Sequence, residues 1–149
     1  MPIKKRAERW IKKEFIIGPE NMNKYKVLVP KAIGAGTFGE KFPDSIISIK
    51  NESHTQSFVS IGNLDTQTEA ENLQKYIKTK FFRTLLSVLK KTPDVTPPKF
   101  SFVPMQDFTA SSDIDWSKSV AEIDQQLYKK YWLDEKEIDF IESHVKEMK

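Results

Sequence analysis

Three patterns in this 149-residue sequence could do chemistry: a glycine-rich loop, acids beside prolines, and a run of bases. Gly34-Ala35-Gly36-Thr37-Phe38-Gly39 has the G-x-G-x-x-G form and follows Tyr25–Val29, which reads as a strand. The dinucleotide fingerprint needs its third glycine to open a helix that leads on to a parallel strand. That crossover takes about a dozen residues or more. Pro43 follows within four residues and the next strand begins near Ser45, so no helix fits. What remains is a turn with positive φ angles, or a loop whose amides approach phosphates, with Gly34 and Gly36 allowing the close approach.

Pro43-Asp44 and Pro93-Asp94 could each supply the first acid of a metal-dependent nuclease. The second acid and lysine of that motif are missing after Asp44, because the strand ends Ser48-Ile49-Lys50. After Asp94 only Asp134-Glu135-Lys136 matches, at a helix start, and an isolated Asp more commonly caps a turn. His54 and His144 have no partner at metal-ligand spacing, and cysteine is absent. We therefore expect no catalytic residue and no metal site.

The bases are the sharper signal. Lys75, Lys78, Lys80, Arg83, Lys90 and Lys91 occur with no acid among them, within a sequence whose net charge is +3. Such a run is either a solvated face or a surface for a polyanion. Charge is also uneven along the chain. Residues 1–13 hold six Lys/Arg against one acid, whereas residues 113–149 hold six against ten.

Length fits one domain, which needs neither disulfides nor metals to fold. No apolar run approaches the ~20 residues of a membrane helix, and no apolar secretory core follows Met1-Pro2-Ile3-Lys4-Lys5-Arg6. The expectation is a soluble, cytoplasmic protein with no membrane partner.

The elements that must position these groups follow from periodicity. Ile3–Phe15 reads as a short helix, with Ala7, Trp10, Ile11 and Glu14 at helical spacing and Gly18-Pro19 as its stop. Tyr25–Val29, Ser45–Lys50 and Gln56–Gly62 read as three short strands. Thr66-Gln67-Thr68-Glu69 is a capping box, and Ala70, Leu73, Ile77, Phe81, Leu85, Val88 and Leu89 form one helical stripe to about Lys91. On that single helix Lys75, Arg83 and Lys90 lie opposite the stripe, with Lys80 and Lys91 on its shoulder. Phe100–Val103 alternates as a fourth, edge strand. The tail reads as two antiparallel helices joined at Trp132-Leu133, the first after a cap at Ser117 and the second after an Asp134–Glu137 capping box. The expected class is α+β: a small mixed or antiparallel sheet packed by one long amphipathic helix, with a C-terminal helical hairpin. The expected divisions are an N-terminal helix and linker over 1–23, an α/β domain over 24–110 and a helical tail over 111–149.

Taken in order, several segments resemble the C-terminal target-recognition region of bacterial restriction-modification adenine methyltransferases of the single-polypeptide kind. They are Lys26–Ala32 with Gly34 and Gly36, Thr55–Gly62, Tyr76–Arg83, Phe100–Phe108, Asp124–Tyr131 and Glu137–Glu142. Gln56 stands where that family often has Glu. The resemblance implies a module that holds and reads double-stranded DNA while methylase and nuclease domains of a parent chain or partner subunit do the chemistry. S-adenosylmethionine and Mg would belong to those domains, and none to this stretch. The only Pro-Pro, Thr96-Pro97-Pro98-Lys99, lacks the form of an adenine-methylase loop. On this reading Lys31, Lys75, Lys78, Lys80 and Arg83 contact phosphates. The loop from Asn51 to Gln56, with His54 between, offers groups for base edges, and the acidic tail packs on other protein. A protein-interaction scaffold of such a system and a small restriction endonuclease are the alternatives.

Overall fold

β-branched residues between turn formers build the sheet. A computed structural model describes residues 7–148, in which Tyr25–Pro30 (β1), Ile46–Ser48 (β2) and Phe58–Leu64 (β3) form an antiparallel sheet of order β2-β1-β3. Val27 lies opposite Ile47 on one side and Ile61 on the other, while Lys26 faces Ser48. Alternation along a strand therefore separates Val27 and Val29 from Lys26 and Leu28. Between Ile61 and Leu64 β3 has one residue more than the facing stretch of β1, and Gly62 there has φ +96°. A side chain at Gly62 would stand 2.9 Å from Leu73, so the bulge needs glycine for both its backbone and its packing.

Because β2 and β3 flank β1 on opposite sides, residues 49–57 pass from one edge of the sheet to the other. They also run its length. The Asn51 amide donates to Met22 O at 3.0 Å before β1, and the Lys31 amide donates to Ser57 O at 2.9 Å after it.

The α+β class stands, with one change to its helical layer. The expected single helix is two: Gln67–Lys78 (α1) and Lys80–Leu89 (α2), interrupted at Thr79, which is extended (φ −61°, ψ 149°). Thr66 caps α1 by accepting the Glu69 amide, and Glu69 reaches back to the Asp65 amide at 3.3 Å. Thr79 Oγ1 caps α2 by accepting the Phe82 amide at 3.1 Å. Val120–Lys130 (α3) and Glu135–His144 (α4) complete the layer, each with a full capping box, Ser119–Glu122 and Asp134–Glu137. The cap of α3 is thus Ser119 rather than Ser117. Ile123, Leu127, Tyr128, Ile141 and Val145 share one buried cluster with Val27, Leu73, Ile77 and Phe82. The tail's apolar faces, expected to pack on other protein, pack against α1 and α2 of the chain itself.

Two expected elements are different. Pro97–Phe100 is a single 3-10 turn and residues 101–103 are irregular, so no fourth strand forms. Pro97, Pro98 and Pro104 flank that alternating run with residues that cannot donate to a ladder. In the predicted N-terminal helix, residues 3–6 lie outside the described residues and the remainder holds only a 3-10 turn, Lys13–Phe15. Its apolar positions, Trp10, Ile11 and Phe15, are exposed, and a short helix with no surface to bury against is marginal in water.

Candidate nucleic-acid interface

The break at Thr79 changes which bases reach the surface. Arg83 is 1 % exposed. Its Nε donates to Lys78 O and Thr79 O at 3.2 Å each, Nη1 to Gly39 O at 3.1 Å and Nη2 to Lys146 O at 2.6 Å. Burial pulls its guanidinium below the ordinary arginine range, partly offset by Asp124 and Tyr128. A side chain so placed ties α2 to the glycine loop and to the C-terminal segment, and is not available to a phosphate. Lys90 is also buried, donating to Ile33 O at 2.9 Å and pairing with Glu40.

The other predicted phosphate contacts are engaged or half-covered. Lys80 pairs with Glu142 of α4. Lys75 Nζ donates to Trp116 O at 2.6 Å. Lys78 is half-buried. The acidic tail, expected to face another protein, thus neutralises part of the basic run.

The glycine loop holds an anion of its own. Glu40 Oε2 accepts the Ala35 amide at 2.9 Å, the Gly36 amide at 3.2 Å and the Thr37 hydroxyl at 3.4 Å. Burial works against the Glu40 charge, but the Lys90 ammonium and these amides outweigh it and hold the carboxyl below its usual range. Gly34 has φ +57°, and a Cβ there would lie 1.9 Å from Glu40 Oε2. Gly34 therefore admits the carboxylate, Gly36 admits the Lys91–Thr92 backbone, and the amides expected to meet phosphate are occupied.

What stays free lies at the Pro30 end of β1. The Val95 amide donates to Lys31 O at 2.7 Å and the Ile33 amide to Pro93 O at 2.8 Å, which pairs residues 93–95 with residues 31–33 and leaves Lys91 farther along, against Gly36. Lys31, Gln56 and Lys91 are exposed, and neither lysine joins an ion pair among the described residues. Lys99 reaches Thr92 Oγ1 at 2.7 Å and Asp94 O at 2.6 Å, adding a third cation to this edge. His54 is half-buried, with Nδ1 2.9 Å from Thr55 O and its ring edge-on to Phe58. Asn51, with φ +65°, sits at the opposite end of the sheet. The length of β1, about 17 Å at ~3.4 Å per step, separates it from Gln56. The two could not address the same base pair.

Nothing in the sequence pattern marks Lys99, which comes near Lys31 through the isolated bridge Ala32–Asp94. Nor does the pattern mark the role of Asp124. Asp124 is buried on α3, where Oδ2 accepts the Lys80 amide and Oδ1 the Phe81 amide, each at 2.9 Å. Burial pushes its carboxyl up to about 6 despite those two hydrogen bonds. With Lys80 and Glu142 it lines a cleft of about 280 Å³. Both oxygens are spent on α2, so Asp124 serves as a helix cap rather than a proton donor to a substrate.

Among the described residues no three His, Asp or Glu stand close enough to hold a metal ion, and no helix is long and apolar enough to cross a membrane. No protein-family model, no curated protein and no solved structure matches the chain.

Proposed function

We propose that this chain is a target-recognition module that holds double-stranded DNA by the Pro30 end of its sheet. Methylation or cleavage would be done by other domains of a restriction-modification enzyme. The observation that carries the reading is Lys31, exposed and outside every ion pair among the described residues, beside the polar loop ending at Gln56 and Ser57, with exposed Lys91 farther along the segment that pairs with residues 31–33. Lysines of this kind position a backbone, and neighbouring amide side chains address base edges. Residues 51–57 extend along the sheet, a length that spans several base-pair steps. In this reading the bases of α1 and α2 hold the fold, and the DNA-contacting face is smaller than their number suggests.

Gel-shift titration of a random-sequence duplex pool at several salt concentrations tests it. Lys31→Ala with Lys91→Ala is expected to weaken binding and to reduce the salt slope by about 2, one unit for each lost phosphate contact. Lys75→Ala should leave both unchanged. An unaltered slope in the double variant overturns the assignment. A protein-interaction scaffold is favoured by a different observation, the engagement of Arg83, Lys75 and Lys80 within the chain. Weak retention on heparin would support it.

A further inference from the structure

The stretch 7–17 has the pattern of an amphipathic helix but no surface of its own chain to lie on. At 100° per residue, Ala7, Trp10, Ile11 and Phe15 share one face, with Arg9, Lys12 and Lys13 on the other. Yet Trp10 is fully exposed, as is Ile17, and Phe15 is 70 % exposed. The side-chain bonds of the stretch stay within it, Arg9 to Glu8 O and Lys12 to Glu14. A sequence that encodes anchors at i, i+3, i+4 and i+8 and leaves them all in water lacks its groove.

Such a groove lies between α2 and α4. It has a volume of about 420 Å³ and is walled by Phe81 and Leu85 from α2 and Phe140 from α4. Asp134, Glu137 and Lys136 rim it. Phe140 remains 48 % exposed beside it, and Trp132, at the turn before α4, is 89 % exposed. Charge favours this chain's own arm as occupant. Residues 7–17 carry Arg9, Lys12 and Lys13 against two acids and follow Lys4, Lys5 and Arg6, whereas α4 carries four acids against one lysine. Among the described residues, the side-chain hydrogen bonds and ion pairs of residues 7–17 include none to α4.

We propose that the two surfaces belong together across two molecules: residues 7–17 fold as a helix into the α2/α4 groove of a second copy. The exchange is reciprocal, each arm in the other copy's groove, and so closes as a two-fold dimer. Buried aromatics anchor it and the opposed charges set its orientation.

Light scattering across a concentration series tests the full chain. The wild type is expected to shift from monomer to dimer with concentration and with falling salt. Trp10→Ser with Phe15→Ser, and separately Phe140→Lys, should each raise the dimer Kd about tenfold or more. A mixture of the two variants should dimerise better than either alone, since the intact groove of the first can still receive the intact arm of the second. Misfolding would not produce that rescue. A monomer at every concentration overturns the proposal, as does a dimer that survives both variants. So does burial of Trp10 fluorescence in a monomer, which would place the arm on its own chain.

Discussion

Asp124 on α3 accepts the backbone amides of Lys80 and Phe81 at 2.9 Å each, filling the gap where α1 stops and α2 starts. With Thr79 Oγ1 on Phe82, the first three amides of α2 all have side-chain acceptors. Asp124→Ala removes two of them from a buried site. We expect a loss of about 2–4 kcal/mol, read as a lower urea midpoint, by cap loss and unsatisfied donors together. A change below about 0.5 kcal/mol would mean that α2 does not depend on this cap.

The same carboxyl makes stability depend on pH. In the native chain it ionises at about 6 against an ordinary 3.8, mainly because it is buried, with Glu142 adding to the rise and Arg83 opposing it. The native state then binds more protons than the unfolded state between those values. Its contribution is full below pH 3.8 and is lost as pH rises to 6. Asp124→Asn should flatten that fall by about 2–3 kcal/mol at most. The difference between wild-type and variant unfolding free energies from pH 4 to 7 isolates it from the other carboxylates. A difference constant across that range counts against the raised ionisation.

The parts of this fold legible in the sequence are those written locally. Strands β1 to β3 are short β-branched runs between turn residues, and the paired cap residues Thr66 and Glu69, and Asp134 and Glu137, each three positions apart, announce helix starts. The break at Thr79 is invisible because its compensating acceptor, Asp124, lies 43 positions beyond Phe81. The apolar stripe runs on through it unbroken. Likewise, nothing in the spacing of Arg83 or Lys90 shows that their acceptors are the carbonyls of Gly39, Lys146 and Ile33, since a main-chain oxygen leaves no mark on residue type. The exposure of Lys31 follows from its place after a strand and before a glycine-rich loop, whereas the position of Lys99 beside Thr92 and Asp94 depends on tertiary pairing.

Arg83 separates a structural base from one at the proposed DNA-binding edge. Arg83→Met keeps the buried stem but removes every donor to Lys78, Thr79, Gly39 and Lys146. Hydrogen bonds from a charged group contribute about 1.5–3 kcal/mol each, with overlap between them. We expect a loss of about 3–5 kcal/mol in chemical denaturation, with affinity for DNA unchanged per folded molecule below the transition. Weakened DNA binding by a variant that unfolds at the wild-type midpoint would return Arg83 to the proposed phosphate contacts.

Glu40 and Lys90 give the last test, because each explains the other's burial. The Lys90 side chain is 3 % exposed and that of Glu40 is 12 % exposed. Glu40→Ala would leave an ammonium in the interior with only Ile33 O as partner and would free the Ala35 and Gly36 amides. Breaking one side of such a pair costs about 3–5 kcal/mol, whereas removing both often costs little. The expected order of stability is therefore wild type, then Glu40→Ala with Lys90→Met, then Glu40→Ala alone. Adding sulfate should restore part of the single variant's stability, since an anion can take the place vacated at those amides beside Lys90. If sulfate stabilises wild type and variant equally, the gain is a general salt effect and the loop holds no anion site.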